Sequence, residues 1–160
     1  MKIISKAFSL IELATAIGIL VIILGLGALW YQKVRQSYFP VEKNAFLIKR
    51  VLESAREFAL LGKENTPWSV YIVNRINKND LLYIFRGTTF STSSIWRVIP
   101  LTGDVDFQIP TTSTPLTITF SLWKGETSST TLKLKAAGQS TSTADILIYP
   151  SGKVEVIIYE

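Results

Sequence analysis

A single carboxylate stands at the head of a long apolar segment. Glu12 is followed by residues 13–31, none of which is charged. A helix over those residues would span about 28 Å, close to the hydrocarbon thickness of a bilayer. A charged side chain in such a helix costs roughly 2.5–3.5 kcal/mol near the bilayer centre, so we expect Glu12 to have a function there.

The residue types of the common catalytic and metal sites are absent from the sequence. It contains no histidine and no cysteine, which excludes the usual zinc sites, Ser-His-Asp and Cys-His catalysis, and a disulfide framework. Asp104 and Asp106 could contribute to a calcium loop, but this stretch lacks the spaced acids of such a loop and is more simply a turn. The sequence therefore predicts a protein that is not an enzyme, with no metal and no cofactor.

The residues before Glu12 form a basic leader followed by an apolar start. Lys2 and Lys6 precede the small residue Ala7, and Phe8 begins the stretch FSLIE. This motif resembles the class III signal of type IV pilins and of the pseudopilins of type II secretion, with alanine where the family usually has glycine. The resemblance implies that a prepilin peptidase cuts between Ala7 and Phe8, and that the new amino terminus of Phe8 is methylated.

The same resemblance implies a role for Glu12 in subunit assembly. Its carboxylate would pair with the amino terminus of Phe8 on a neighbouring subunit, which compensates a charge buried among filament helices and sets the axial stagger. Ala14 and Gly18 are small and four residues apart, which allows helices to approach closely. The expected partners are other pilins or pseudopilins, the prepilin peptidase and the bacterial inner membrane, with a single span and the globular domain outside the cytoplasm.

The apolar segment could also belong to a secretory signal peptide or to an uncleaved signal anchor. A secretory signal has an apolar core of roughly 7–15 residues, followed by a small-residue cleavage site. Here the apolar run is longer and ends in the bulky residues Leu29, Trp30 and Tyr31. An anchor would have the same span as a pilin, but it leaves Glu12 unexplained.

A second helical pattern follows the span. Apolar residues recur at three- and four-residue steps between charged ones, at Val41, Ala45, Ile48, Leu52, Ala55 and Ala59. This spacing predicts an amphipathic helix. Pro40 is expected to kink or divide the helix, and Gly62 to end it. We therefore predict one long helix, bent near Pro40, between the membrane and the globular part.

From residue 68 onward the hydrophobic period changes to two and turn residues become frequent. Eight strands are predicted, at 68–74, 81–86, 95–99, 105–109, 116–123, 130–135, 144–149 and 154–159. Such short runs separated by turns indicate an antiparallel sandwich or barrel. The predicted fold class is α+β, with a long transmembrane and amphipathic helix packed on an antiparallel β-sandwich. The expected regions are a leader (1–7), a transmembrane half (8–31) and an amphipathic half (32–62) of the helix, and a β-sandwich (63–160).

Two further motifs carry a resemblance to the GspH/FimT family. The segment ESAREFA at 53–59 is similar to that family's AR-x-x-A segment, and ILIYPSGKV at 146–154 is similar to its final hairpin. The resemblance implies a minor pilin or minor pseudopilin with two β-sheets beside the extended helix. Such a subunit would initiate or cap a type II secretion pseudopilus or a type IV pilus.

Two alternative functions remain open. One is a filament-tip module that binds DNA or a surface receptor, in DNA uptake or adhesion. A basic and aromatic surface for single-stranded nucleic acid could form from Lys133, Lys135, Arg86, Arg97, Trp96 and Trp123. DNA binding is not favoured, because the net charge is only +5, and tryptophans more simply fill a core while lysines face solvent. The other is a membrane-tethered extracytoplasmic domain unrelated to filaments.

Overall fold

The computed structural model describes residues 10–38, 40–75, 80–101, 105–112, 114–136 and 142–159. The chain forms two compact units that divide between Tyr38 and Phe39. The first unit contains helix α1 (Leu10–Tyr38), and the second contains helix α2 (Pro40–Leu60) and the described strands. The sequence also predicts turns at 77–80 and 102–104; residues 77–79 of the first and all of the second lie outside the described residues.

Helix α1 presents its apolar side chains outward. Every residue from Leu10 to Tyr31 is exposed within the unit. These 22 residues are long and apolar enough to cross a membrane, and at the helical rise they extend about 33 Å. An apolar surface of this size fits a lipid or helix environment better than water, in agreement with the predicted membrane segment.

Helix α2 is amphipathic, as predicted. Its buried residues form one face: Val41, Asn44, Ala45, Ile48, Val51, Leu52, Ala55 and Ala59. Pro40 is the first residue of α2, where its missing N–H would have no intrahelical acceptor. The described helices end at Tyr38 and begin again at Pro40, and Phe39 lies outside the described residues, so the bend expected near Pro40 stays a prediction. Gly62 follows the end of α2 with a φ of +61° and donates its N–H to the Ala59 carbonyl at 3.1 Å, as expected of a helix stop.

Two antiparallel sheets follow α2. Their strands are β1 (Trp68–Val73), β2 (Leu81–Arg86), β3 (Ile95–Pro100), β4 (Val105–Ile109), β5 (Leu116–Phe120), β6 (Thr130–Ala136), β7 (Thr143–Ile148) and β8 (Val154–Tyr159). Sheet A has the order β3-β2-β1-β5, and sheet B has the order β4-β6-β7-β8. The eight predicted strands are all present, and the α+β class is confirmed.

The strand predicted to reach residue 123 ends earlier. β5 stops at Phe120 because the chain turns at residues 121–125. Trp123 has a φ of +66°, which a strand does not allow, and its N–H donates to the Ala59 carbonyl at 2.9 Å. The turn thus supplies a donor to one of the last carbonyls of α2, which have no partner within the helix.

The core of the second unit lies where α2 meets both sheets. α2 contacts β1 of sheet A and β6, β7 and β8 of sheet B. Alternate strand residues, such as Val70 and Ile72 in β1 and Leu132 and Leu134 in β6, are buried in one apolar cluster with the helix. The predicted packing of the amphipathic helix on an antiparallel β domain is therefore present.

Two buried polar residues connect the sheets. Asn74, after β1, donates Nδ2–H to the carbonyls of Phe107 in β4 and of Pro110, at 2.7 and 3.0 Å. The Asp80 carboxylate, before β2, accepts the N–H of Arg75 at 2.7 Å and the N–H of Phe107 at 3.3 Å. Burial raises the pKa of Asp80, and these two donors oppose the shift.

Candidate assembly site

Glu12 lies in the first turn of α1. A carboxylate at this end of a helix interacts favourably with the helix dipole. Its side chain is exposed within the unit, and the hydroxyl of Thr15, one turn on, donates to the Ile11 carbonyl at 2.6 Å. The acid of the apolar segment therefore lies on the exposed surface of the helix.

Ala14 and Gly18 occupy a different side of α1 from Glu12. At about 100° per residue, Ala14 lies about 160° around the helix from Glu12, and Gly18 about 120°. No atom outside the local helix backbone lies within 4 Å of the position of a β-carbon at Gly18. The carboxylate and the small-residue pair are thus not brought together on one side of α1.

The predicted cleavage residues lie outside the described part of the chain. Ala7 and Phe8 precede Leu10, the first described residue. Cleavage between them and methylation of Phe8 therefore stay predictions from the motif. Since Phe8 is four residues before Glu12, one chain would carry both the amine and the carboxylate of the expected subunit contact.

The two sequence motifs of the second unit meet in space. Arg56 of the AR-x-x-A segment lies in α2, and Gly152 of the P-S-G-K segment lies in the turn between β7 and β8. The Arg56 side chain packs directly against Gly152 and Gly125, and its Nε atom is buried without a hydrogen-bond partner among the described residues. Helix periodicity and turn composition predict each segment, but neither pattern predicts this contact.

Sequence reasoning missed a cluster of three aromatic rings around Lys63. The Lys63 Nζ atom lies 4.1 Å from the ring centroid of Phe58, 4.8 Å from that of Trp96 and 5.3 Å from that of Trp68. These distances are typical of cation–π contacts. The Trp68 indole N–H also donates to the Lys63 carbonyl at 3.0 Å. Phe58 of α2 and Trp68 of β1 are near Lys63 in the chain, but Trp96 comes from β3, so a local pattern would not reveal the complete cluster.

The proposed basic and aromatic surface is divided between the sheets. Arg86 and Arg97 lie on strands of sheet A, while Lys133 and Lys135 lie on β6 of sheet B. Arg86 pairs with Glu64 at 2.6 Å, and Lys133 pairs with Asp145 at 3.4 Å. Two of the four cations are therefore partly compensated, which does not favour a phosphate-binding face.

The expectation that tryptophans fill the core holds only in part. Trp68 is completely buried, but Trp96 is 44% exposed and Trp123 is 61% exposed. The six-membered ring of Trp123 instead covers Gly62, where a β-carbon would lie 2.0 Å from it. Within the described ranges, no group of three or more acidic side chains is placed to hold a metal ion, and Asp104 lies outside those ranges.

An exposed apolar N-terminal helix, a second amphipathic helix and antiparallel sheets define the fold as type IV pilin-like. Two crystal structures of the type IV minor pilin FimU from Pseudomonas aeruginosa are similar to this chain. Both are 16% identical to it; one has a TM-score of 0.53 and covers 72% of this chain and 91% of FimU. The other has a TM-score of 0.54 and covers 73% and 87%. No protein-family model and no curated protein matches the sequence.

Proposed function

We propose that this protein is a minor pilin or minor pseudopilin that initiates or caps a type IV pilus or a type II secretion pseudopilus. The observation that carries the proposal is a pilin-like fold whose exposed apolar helix has Glu12 in its first turn. The chain would reside in the inner membrane by α1, with the second unit outside the cytoplasm. We assign it no catalytic activity and no cofactor.

In this proposal, assembly moves α1 from the lipid of the membrane into contact with the helices of other subunits. In the membrane the apolar side chains contact lipid, and in a filament they contact the helices of neighbouring subunits. A carboxylate is tolerated in the second environment only when it is paired. After cleavage between Ala7 and Phe8, the amino terminus of Phe8 on a neighbour is the partner that we propose for Glu12.

The small residues of α1 serve a separate contact in this proposal. Because Ala14 and Gly18 face away from Glu12, a second neighbouring helix could approach there while the carboxylate is engaged. Close approach increases van der Waals contact, the main source of helix–helix affinity where lipid and protein are equally apolar. The two sides of α1 would thus specify two different subunit contacts.

The experiment that tests this function follows the chain into filaments. The full-length protein is expressed in its native host, filaments are sheared from the cells, and the sheared and membrane fractions are analysed by mass spectrometry. We expect a product that begins at a methylated Phe8 and is present with filament subunits. The Ala7→Gly variant, which restores the residue usual in the family, should be processed at least as fast. A chain that keeps residues 1–7 and is absent from filaments would refute the proposal.

A further inference from the structure

An open groove separates α2 from strand β3. Its volume is about 240 Å³. Its apolar lining includes Val51 and Phe58 from the helix and Ile99 from β3, and Arg50 and Arg97 also line it, one from each side. Both arginines are exposed. The groove thus combines an apolar surface with two guanidinium groups.

Strand β3 is an edge of sheet A, and it has apolar side chains in solvent. It pairs with β2 on one side, and no described strand pairs with its other side. Trp96 and Val98 are 44% and 46% exposed. Edge strands are usually protected by charged side chains, by proline or by a covering element. Pro100 is the last residue of β3, so it protects only the end of the strand. The charged side chain of Arg97 lines the groove.

The charge around the groove is positive. No acidic residue lines it, and neither Arg50 nor Arg97 takes part in an ion pair with another described residue. The acids in the second half of α2, Glu53 and Glu57, lie outside the lining. The Lys63 ammonium, 4.8 Å from the Trp96 ring centroid, adds a third positive charge near the groove. This surface is complementary to a ligand that carries carboxylates.

We propose that the groove and the free edge of β3 bind an extended, acidic segment of a partner protein. The segment would add as a strand beside β3, so that its backbone pairs with the edge. Every second side chain of an added strand faces the same way. An apolar side chain would then cover Val51 and Phe58, while a carboxylate two positions away would bind Arg97 or Arg50 through charge-assisted hydrogen bonds. This inference does not depend on the filament function proposed above.

The proposal is tested by binding of a short peptide to the full chain in lipid nanodiscs. In this peptide threonine alternates with valine or glutamate, so that valine and glutamate face the same way in a strand. The probe is the blocked peptide Thr-Val-Thr-Glu-Thr-Val, and the matched peptide carries lysine in place of glutamate. Affinity is measured by fluorescence anisotropy of the labelled peptide, and the binding site by hydrogen-exchange mass spectrometry. We expect the acidic peptide to bind more tightly than the basic one and to slow amide exchange at residues 95–100.

Matched charge reversals separate this site from general electrostatic attraction. Arg97→Glu should weaken binding of the acidic peptide by about tenfold or more, the equivalent of one lost charged hydrogen bond, and should favour the basic peptide. Lys135→Glu makes the same charge change on sheet B and should leave the affinity unchanged. If circular dichroism shows that Arg97→Glu is unfolded, Arg97→Gln replaces it, with a several-fold loss expected. Absence of binding at millimolar peptide, equal binding of both peptides, equal loss in both variants or protection elsewhere would overturn the proposal.

Discussion

Arg56 and Gly152 are packed so closely that a β-carbon at Gly152 would lie 2.6 Å from the Arg56 Nε atom. The same β-carbon would lie 2.1 Å from the Gly125 carbonyl oxygen. Gly152 also has a φ of +76°, a left-handed conformation that favours glycine. The turn between β7 and β8 therefore closes on α2 only because position 152 has no side chain.

We expect Gly152→Ala to destabilise the protein by about 2–4 kcal/mol, since it adds steric overlap to backbone strain. The matched control is Gly87→Ala. Gly87 has a φ of +94°, but no atom lies within 4 Å of its β-carbon position, so only the backbone strain applies. Urea denaturation of the full chain in detergent, followed by tryptophan fluorescence, measures both variants. Equal losses in the two variants would show that the contact with Arg56 and Gly125 has no energetic weight.

The buried carboxyl of Asp80 should make stability depend on pH. Because burial raises its pKa, the folded protein binds this proton more tightly than the unfolded chain does. The free energy of unfolding should therefore fall as the pH rises from the unfolded pKa through the folded one, and it should not fall further above that interval. Asp80→Asn removes this pH-dependent part of the free energy of unfolding. Any other effect of the substitution on stability should be the same at every pH.

Urea denaturation from about pH 4 to pH 8 checks this sign, because it covers the range above the ordinary pKa of an aspartate. The difference between wild type and Asp80→Asn is the informative quantity. Glu126→Gln, at an exposed position, is the control for the loss of a carboxylate. A wild type that gains stability relative to Asp80→Asn as the pH rises would contradict the assignment.

Replacing Glu12 should separate membrane insertion from assembly. Glu12→Ala removes a charge from the apolar segment, so insertion should be retained or improved. Crosslinking to filament partners should fall, because the amino terminus of a neighbouring Phe8 loses its counter-charge. The absence of cysteine from the sequence allows an introduced single cysteine to report the contact without background. Leu24→Ala is the control, because it removes apolar surface from the span without a charge, and it should lose less crosslinking than Glu12→Ala does. Crosslinking of Glu12→Ala that equals the wild type would refute the role of Glu12.

The second unit should bind DNA weakly at most. Lys133 is engaged by Asp145, and the cations of sheet A lie on other strands. Any binding should decline steeply with added salt, since phosphate contacts release counterions. The test is an anisotropy titration of single-stranded DNA with the wild type and with the combined change of Lys133 and Lys135 to Glu. Submicromolar affinity at physiological salt, lost in that variant, would support the filament-tip function instead.

Local sequence patterns predicted the helices and strands of this protein. Contacts between segments distant in the chain determine the end of β5 and the surroundings of Lys63 and Asp80. Strand and helix periods depend on neighbours in sequence, so the eight strands and α2 could be predicted. The end of β5 could not be predicted, because the chain turns at Trp123, whose N–H donates to the carbonyl of Ala59 in α2. Lys63 and Asp80 were missed because each needs one distant partner as well as near ones: Trp96 of β3 for Lys63, and Phe107 of β4 for Asp80. At the candidate assembly site, the signal motif named Glu12 and the four-residue spacing of small residues named Ala14 and Gly18, but only the helical geometry placed them on different sides.

The order in which the strands enter the two sheets means that sheet A is complete only after β5 has been synthesised. β1 pairs with β5 as well as with β2, while β4 pairs with β6, so the chain leaves sheet A and returns to it. A nascent chain that has not reached Leu116 can complete neither sheet, and it leaves the open edges of β1 and β4 available to other chains. Contacts between distant segments also form slowly. A chain truncated before Leu116 would therefore lack the partner strands of β1 and β4 and would not form a smaller functional domain.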